Sequence, residues 1–361
     1  MNKIGVGIVG LSAKRGWANL AHVAALRKLP DFELRGLTAS SSQSAQEAAA
    51  KFGVPFFSDD PSALAARPEI DLVVVAVKVP EHRGPVEAAL NAGKSLYCEW
   101  PVGRDLAEAE AIAALAASKS ARVFVGLQAR AAPALRYIRD LILEGYVGDV
   151  LSTSIVASAG PAWGRSVSQT QTFQLDRANG ATMLTIPFGH TIDALCWIFG
   201  ELDRIRSTLA VRRPVVTVIE TGETLPMSAP DALAVSGVFP SGAVASIHFR
   251  ASSPPGTGFR WEINGTKGTL LATGANGHLQ FGMISICGAT GGQKELTELK
   301  VPPHYALVEG SENDYSLAVA HAYRNVLSDL RSDSRLAATL TDALVRHRML
   351  EEIENAATRK P

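Results

Sequence analysis

The chain has 361 residues, and its 35 basic and 35 acidic side chains give a formal net charge of +0. Because this length exceeds what one hydrophobic core commonly supports, it predicts two domains, and the balanced charge excludes an electrostatic footprint for nucleic acid or for an anionic membrane surface. No apolar run approaches the roughly 18 residues that span a bilayer. The three cysteines are far apart and form no C-x-x-C pair, so we expect no disulfide framework, no metal site and a cytoplasmic location.

The first candidate element is a buried strand at residues 4–9 that runs into a glycine-containing turn and then a helix. The turn reads Gly10-Leu-Ser12-Ala-Lys-Arg-Gly16, so Ser12 replaces the second glycine of G-x-G-x-x-G and the third glycine comes one residue late. Such a turn directs backbone N–H groups and the positive end of a helix dipole at a pyrophosphate. The alternative is a turn without a ligand. The predicted dinucleotide contacts are Gly10, Ser12, Lys14, Arg15, Gly16 and Trp17.

Strand and helix patterns alternate over the next hundred residues. Strands are expected at 32–38, 70–77, 95–98 and 121–126, and helices at 43–52 and 105–118. Asp105 and Glu108 have the spacing of a capping box at the start of the second helix. This alternation implies right-handed βαβ crossovers, so we predict an α/β fold with a Rossmann-type doubly wound parallel sheet in a first domain, residues 1–126.

Beyond residue 126 the pattern becomes rich in strands. Strands are expected at 150–158, 204–217, 232–239, 243–250, 261–265, 269–272 and 279–286, with turn signals such as Pro240-Ser-Gly242 between them. We predict a second domain, residues 127–361, of α+β type with a large, mainly antiparallel sheet. Helices at 133–144, 188–199 and 314–330 are expected to cover one face of this sheet, and the other face is expected to join copies into a homodimer or homotetramer.

The end of the second strand bears on the choice of cofactor. Residues 38–43 contain no acid, whereas an NAD site commonly has one about 20 residues past the glycine turn. The hydroxyls of Ser40, Ser41 and Ser42 could donate to a 2′-phosphate, and Lys14 or Arg15 could neutralise it. We therefore expect NADP or NAD, with NADP favoured. A serine that N-caps the following helix is the plainer interpretation and is compatible with this one.

Six short motifs occur in order along nearly the whole chain. They are His82-x₆-Ala89-Leu-x-Ala-Gly-Lys94, Cys98-Glu99-x-Pro101, Gln128-x-Arg130-x-x-Pro133, Glu144-Gly-x-Val-Gly-Asp149, His190-x-x-Asp193 and Asn264-Gly-Thr-Lys-Gly-Thr269. Through them the chain resembles the glucose–fructose oxidoreductase, inositol dehydrogenase and MocA family. The turn 10–17, Trp100 and the run 188–193 resemble the branch that contains the fungal galactose-regulon repressor, a dinucleotide-binding sensor. The resemblance implies a nicotinamide cofactor and a sugar- or polyol-like small molecule.

The catalytic residues of the family are only partly present. Family dehydrogenases manage the hydroxyl proton with a lysine of a Glu-Lys-Pro motif and with an Asp and a His four residues apart. Here Trp100 stands at the lysine position and Ile186 at the Asp position, and only His190 remains. Neither replacement transfers protons near neutral pH. His190 is therefore a candidate base, since imidazole titrates near neutrality, and a purely structural hydrogen bond is the alternative.

Other side chains are candidates near the carboxyl ends of the strands. Lys78 follows the strand at 70–77, where it could serve as a displaced acid–base lysine and cofactor contact or be a solvated loop residue. Trp17 and Trp163 could stack on a cofactor or sugar ring, or pack in a core. The further candidate cofactor contacts are Glu99, which the resemblance places against the nicotinamide ribose, Trp100, Gln128, and His82, which we expect first to orient the loop after Lys78.

The sequence thus predicts an NAD(P)-dependent oxidoreductase that transfers hydride to or from a carbinol. The alternative is a catalytically silent dinucleotide sensor. Since the chain has neither a basic patch nor a helix-turn-helix, such a regulator would act through a protein partner and not on DNA directly.

Overall fold

The first sheet contains six strands, all paired in parallel, in the order β3-β2-β1-β4-β5-β6. The computed structural model describes residues 2–160, 163–251, 256–310, 314–332 and 334–359. The strands of this sheet are β1 Ile4–Val9, β2 Phe32–Thr38, β3 Phe56–Ser58, β4 Leu72–Val75, β5 Ser95–Cys98 and β6 Val123–Val125. The order reverses between β1 and β4, which creates the switch point where doubly wound sheets bind ligands.

Helices connect these strands, as the alternating pattern predicts. They are the π-helical Ala18–Val23 continuing into Ala24–Arg27, then Ser42–Phe52, Pro61–Ala65, Arg83–Asn91 and Leu106–Ser118, with short 3₁₀ turns at Val79–Glu81 and Gln128–Ala131. Asp105 caps its helix by accepting from the Glu108 N–H at 2.8 Å, whereas the Glu108 carboxylate bonds to the Arg104 N–H at 2.7 Å. The predicted doubly wound parallel sheet is confirmed.

The chain divides into two units, Met1–Ala131 with Leu307–His347 and Ala132–Ala306 with Arg348–Pro361. The sequence assigns the helix at 314–330 to the second domain, where it would cover the second sheet. The helix forms as Ser316–Ser332, but Val319, Tyr323 and Leu327 pack in the core of the first unit. The prediction for this helix is wrong, because a local pattern shows an apolar face and not the distant surface that the face contacts.

The second unit contains an eight-stranded sheet in the order β17-β16-β15-β14-β7-β13-β12-β9. Its strands are β7 Val150–Ser158, β9 Asp203–Ala210, β12 Ala232–Val238, β13 Val244–Arg250, β14 Phe259–Gly265, β15 Gly268–Gly274, β16 Ser285–Thr290 and β17 Thr297–Glu298, and a smaller sheet joins β8 Ser166–Val167, β10 Val215–Val218 and β11 Thr224–Pro226. Only β7 and β13 run parallel among the neighbours of the large sheet that the structure describes, so a mainly antiparallel sheet is confirmed.

Two predicted strands of the second unit differ from the structure. The run 204–217 is broken between β9 and β10, and its two parts lie in different sheets. The run 279–286 begins as a 3₁₀ turn, Leu279–Phe281, and only its end joins β16. The helices of this unit are Pro133–Leu143, Gly189–Phe199 and the part of Leu340–Thr358 from Arg348 onward, with a π-helical turn at Leu184–Phe188 and 3₁₀ turns at Gln169–Leu175, Arg177–Asn179 and Pro303–Tyr305. Within the described ranges, no helix is long and apolar enough to cross a bilayer.

Candidate functional site

The glycine turn is anchored at its first residue. Gly10 has a φ of +94°, and the N–H groups of Gly10 and Leu11 both donate to the Thr38 carbonyl at 3.0 Å. A Cβ at Gly10 would lie 2.6 Å from Val77 Cγ1, so glycine is required for the turn to pack on the loop after β4. A substitution at Gly10 would therefore disturb the packing of the turn as well as the binding of a ligand. Gly16 also has a φ of +94°, but a Cβ there would meet nothing within 4 Å.

The rest of the turn offers free backbone donors. Among the described residues, the N–H groups of Ser12, Ala13, Arg15 and Gly16 have no acceptor, while the Lys14 N–H donates to Ser12 Oγ at 3.2 Å. The helix that follows begins at Ala18 without a side-chain cap. Free N–H groups at an uncapped helix start favour an anion, so these residues fit a pyrophosphate.

Charged side chains surround this turn. The Lys14 ammonium lies 3.4 Å from a carboxylate oxygen of Glu47, and Arg15 is exposed. Lys51, which the sequence argument missed, donates from its ammonium to the Ala13 carbonyl. Lys51 lies on the helix Ser42–Phe52, and only the fold brings that helix to the turn. Glu47 thus partly compensates the positive charge of Lys14, which the sequence argument assigned to a phosphate.

The serine cluster after β2 has two separate roles in the structure. The Ser41 side chain accepts from the Ser44 N–H at 3.2 Å and caps the helix, as the plainer interpretation predicts. Ser42 donates to an Asp59 carboxylate oxygen at 2.5 Å, and this bond lowers the pKa of Asp59. Asp59 follows β3, the neighbour of β2, so the sequence argument missed it by considering acids only at the end of β2. Ser40 is exposed.

Glu99, directly after β5, is held by a buried hydrogen-bonded pair. His22 Nε2 lies 3.1 Å from Glu99 Oε1, and His22 Nδ1 lies 2.8 Å from the Tyr323 hydroxyl. Since an ionised carboxylate only accepts, Nε2 carries the proton and Nδ1 accepts from the tyrosine. The Tyr97 ring stacks on Tyr323 at 5.2 Å and meets His22 edge-on at 5.7 Å. The sequence argument missed His22 and Tyr323, which become neighbours of Glu99 only in the folded unit.

The loop after β4 carries Lys78 and His82. Lys78 is exposed and directly precedes the 3₁₀ turn Val79–Glu81. His82 is buried, with Nε2 3.1 Å from the Val77 carbonyl and Nδ1 3.6 Å from the Cys98 sulfur. Burial lowers the pKa of His82. The neutral ring therefore ties the loop to β5, which supports the expected orienting role.

Trp100 and Gln128 are both buried in the first unit. The Trp100 ring packs against His347 with centroids 4.7 Å apart, so an indole and an imidazole occupy the region of the expected lysine. The Gln128 amide oxygen has no hydrogen-bond partner among the described residues. An unsatisfied buried acceptor of this kind fits a ligand hydroxyl.

His190 lies in the second unit at the start of the helix Gly189–Phe199. It is buried, and its Nδ1 has no hydrogen-bond partner in the described part of the chain. Burial lowers the pKa of His190 to about 3, an effect that Asp193 partly offsets and His278 reinforces. His190 is thus a neutral imidazole at physiological pH and does not titrate near neutrality as the sequence argument assumes. Ile186, in the π-helical turn Leu184–Phe188, adds no polar group.

Two family models match the chain. Residues 4–127 match the oxidoreductase family with an NAD-binding Rossmann fold, and residues 133–274 match the C-terminal domain of Gal80p. Among relatives, the dehydrogenase aclE of Aspergillus oryzae is 29% identical over 98% of this chain and 96% of its own length. The galactose/lactose metabolism regulatory protein GAL80 of Saccharomyces cerevisiae is 25% identical over 97% of this chain and 92% of its own.

Solved structures agree on the fold. A super-repressor mutant of Gal80p from Saccharomyces cerevisiae superposes with a TM-score of 0.86 at 24% identity, covering 98% of this chain and 96% of its own. Levoglucosan dehydrogenase in complex with NADH and levoglucosan gives 0.81 at 19% identity, covering 99% and 97%. The match of residues 4–127 to an NAD-binding Rossmann family, together with the free N–H groups of the turn, indicates a nicotinamide dinucleotide site. Residues 4–127 are thus similar to the oxidoreductase family with an NAD-binding Rossmann fold, and residues 133–274 are similar to the C-terminal domain of Gal80p.

Proposed function

We propose that this protein transfers hydride between a nicotinamide dinucleotide and a carbinol of a sugar- or polyol-like small molecule. The observation that carries the proposal is the turn at the switch point between β1 and β4, with its free N–H groups at residues 12, 13, 15 and 16. The dehydrogenases among the relatives support the same reaction class. We place the protein in the cytoplasm.

The residues of the first unit would hold the cofactor, which supplies the hydride acceptor or donor when bound. The N–H groups of Ser12, Arg15 and Gly16 would bind the pyrophosphate. Glu99, fixed by His22, would accept from a ribose hydroxyl, and the Gln128 amide oxygen offers a further acceptor. The remaining proposed contacts are Gly10, Lys14, Trp17, Ser40, Ser41, Ser42, Lys78, His82 and Trp100.

Proton transfer rests on His190 and Lys78. A neutral imidazole can take the carbinol proton, but a pKa of about 3 makes it a weak base. The Trp100 indole only donates and Ile186 is apolar. General acid–base catalysis typically raises a rate by about 10²–10⁴. We therefore expect slower turnover than in a dehydrogenase that has the lysine, the aspartate and the histidine.

Cofactor choice depends on the serine cluster and Asp59. The exposed Ser40 and the cations Lys14 and Arg15 favour NADP, whereas the Asp59 carboxylate would repel a 2′-phosphate and accept from a 2′-hydroxyl. We infer that Asp59 shifts the preference from NADP towards NAD. In paired calorimetric titrations, Asp59→Asn should raise the affinity for NADP and not that for NAD. An unchanged ratio of the two affinities would contradict the placement of Asp59 beside the ribose.

The enzyme proposal is tested with a panel of neutral sugars, polyols and inositols and both dinucleotides. Wild-type protein should turn over at least one of them, and His190→Ala should lower kcat far more than dinucleotide affinity. Lys78→Ala tests the second candidate for proton transfer by the same comparison of kcat with dinucleotide affinity. Turnover that survives loss of both side chains would refute the site assignment while leaving the reaction class standing.

A dinucleotide sensor is the second candidate function, and two observations favour it. Trp100 is buried against His347 where the family dehydrogenases carry a lysine, and the second domain is of the Gal80p type. A sensor would bind dinucleotide without turnover of any compound in the panel, and binding would change its affinity for a protein partner. Absence of turnover together with tight dinucleotide binding would therefore select this function.

A homo-oligomer through the large sheet completes the proposal. Val156 and Val244 are exposed on the same face of the neighbouring strands β7 and β13, because Val244 pairs with Ser152 and His248 pairs with Val156. Exposed apolar side chains on a sheet face favour association, because association removes their surface from water. We therefore propose that two or four copies associate through this face.

A further inference from the structure

The first unit has a pocket of about 380 Å³ beside β6, the last strand of its sheet. An antiparallel bridge between Thr339 and Phe124 joins a later segment of the chain to β6. Binding pockets for small molecules commonly measure about 300–1,000 Å³, so this pocket has room for a ligand. Its walls come from the helix Leu106–Ser118, from residues 121–124, and from Asp329, Arg335, Leu344 and residues 339–341.

The pocket is separate from the candidate dinucleotide site. Residues 121–123 lie at the amino end of β6, whereas the glycine turn and Glu99 follow the carboxyl ends of β1 and β5. Because the neighbouring strands of this sheet are paired in parallel, their amino ends lie at one edge and their carboxyl ends at the opposite edge. A molecule in the pocket would therefore be a second ligand of the first unit.

Small side chains on one helix face leave this space open. Ala113, Ala116 and Ala117 line the pocket, and their spacing of three and four residues places them on one face of their helix. Leu340 and Leu344, four residues apart on the last helix of the chain, also line it. An apolar part of a ligand that contacts these side chains is removed from water, which favours its binding.

The lining contains one negative charge, and the surrounding loop satisfies it. Asp329 is buried, and its carboxylate accepts from the Ser334 hydroxyl at 2.7 Å and from the N–H groups of Leu336 and Ala337 at 2.8 and 2.9 Å. The Arg122 guanidinium, a positive charge of the lining, donates to the Asp329 carbonyl. The loop is thus held at the start of β6, and its carboxylate already has three donors.

Arg335 supplies the second positive charge of the lining, from an uncommon backbone conformation. Its φ of +59° lies in the left-handed region, which residues other than glycine seldom adopt. The bonds from residues 334 and 336 to Asp329 hold the loop on both sides of it. Arg335 is exposed and forms no ion pair within the described ranges. Two arginines and one aspartate give the lining a net charge of +1.

An apolar pocket with one net positive charge favours an amphipathic monoanion. The planar guanidinium group matches the two oxygens of a carboxylate. A dianion such as a phosphate monoester would bring a charge that nothing in the lining compensates. Since an apolar cavity of about 150 Å³ holds benzene, the pocket has room for a phenyl ring together with a carboxylate.

We propose that this pocket binds a monocarboxylate with an aromatic or short aliphatic body. The carboxylate pairs with Arg335, and the apolar body packs on Ala113, Ala117 and Leu344. The inference does not rest on the proposed function. It goes beyond that function by giving the first unit a second small-molecule site, at the edge of the sheet opposite the dinucleotide turn.

Calorimetric titration of the full chain with phenylacetate tests the site. Phenylacetamide has the same ring without the charge, and phenyl phosphate has a second negative charge, so both should bind about tenfold more weakly or worse. Arg335→Gly should weaken phenylacetate binding by a similar factor. Its Tm should stay close to that of wild type, because glycine adopts the left-handed conformation readily.

A matched pair of alanine variants tests the apolar wall. Ala113→Leu fills the pocket and should abolish phenylacetate binding. Ala114→Leu makes the same change at an exposed neighbour outside the lining, so it should bind phenylacetate like wild type. Saturation with NADH should leave the affinity for phenylacetate unchanged in the wild type, because the two sites are separate.

Four results would overturn the inference. They are no binding of phenylacetate by the wild type, equal binding of phenylacetate and phenylacetamide, equal binding by wild type and Arg335→Gly, and binding that survives Ala113→Leu. Displacement of phenylacetate by NADH would place the probe in the dinucleotide site and would overturn it as well. Since none of these measurements involves hydride transfer, failure of this inference leaves the proposed function standing, and the reverse also holds.

Discussion

At the scale of single residues, His22 is expected to contribute to the stability of the first unit. It is fully buried and bonds to both Glu99 and Tyr323. His22→Leu should lower the free energy of unfolding by about 2–4 kcal/mol, because two polar groups lose their partner. Dinucleotide affinity should fall as well, since Glu99 is no longer held.

Tyr323→Phe is the matched control for this prediction, because it removes one bond and leaves the His22 contact to Glu99 in place. Denaturant titration and calorimetry on both variants provide the readout. Dinucleotide affinity that is equal in His22→Leu and wild type would show that His22 contributes only to stability.

Buried histidines make stability depend on pH. Burial lowers the pKa of His190 to about 3, whereas an unfolded histidine has a pKa of about 6.5. Above pH 6.5 both states are neutral and the group contributes nothing. Below it the unfolded state gains a proton that the folded state does not, so stability falls, by up to about 1.4 kcal/mol per pH unit, until the pH reaches about 3.

Urea unfolding between pH 7 and pH 5 checks this prediction. His190→Gln should show a shallower loss of stability than wild type over that window. His248→Gln, an exposed histidine on β13, serves as the control and should keep the wild-type slope. Identical slopes in all three proteins would contradict the burial effect at His190.

The sequence predicted those residues of the candidate site that lie within one continuous motif. Gly10 and Gly16 stand in a turn that the sequence shows directly, and both adopt positive φ. Asp59 and His22 were not found, because each reaches the site from a neighbouring element. Charge compensation of Lys14 by Glu47 was missed for the same reason.

At the scale of elements, the cap at Asp105 supports a whole helix. Its carboxylate accepts from the Glu108 N–H at the start of Leu106–Ser118. Asp105→Ala should destabilise the protein by about 0.5–2 kcal/mol, as measured by denaturant unfolding. Asp105→Asn retains an acceptor and should stay close to wild type. Equal losses in both variants would mean that charge, and not the cap, stabilises this helix.

Helices and strands with a regular hydrophobic pattern and turn-forming residues at both ends were predicted well. Phe32–Thr38 and Ser95–Cys98 have the expected bounds, since β-branched or apolar runs end there at turn-forming residues. The prediction for the run 279–286 was wrong because the alternation of Leu279, Gln280 and Phe281 in a 3₁₀ turn resembles the start of a strand. Tertiary hydrogen bonds, such as that from the Gly277 N–H to the Ser158 carbonyl, set the local path instead.

At the scale of the whole molecule, the proposed association through the exposed face of the large sheet can be tested by substitution. Val244→Glu replaces an exposed apolar side chain of β13 with a charge on the face that it shares with Val156, so the proposed oligomer should dissociate to monomers in sedimentation experiments. Val215→Glu alters an equally exposed valine on the smaller sheet and should leave the assembly intact. An unchanged oligomer in Val244→Glu would place the interface elsewhere.

The helix Ser316–Ser332 also fixes the order in which the chain can mature on the ribosome. Domains generally fold from the N-terminus during synthesis. Here Val319, Tyr323 and Leu327 complete the core around β1 and β2, so that core stays open until they have emerged. The large sheet has its last strand by Glu298. The first unit is therefore complete only after residues 307–347 are made, and the second only after Arg348–Pro361 is made, so neither unit can finish folding until synthesis is nearly over.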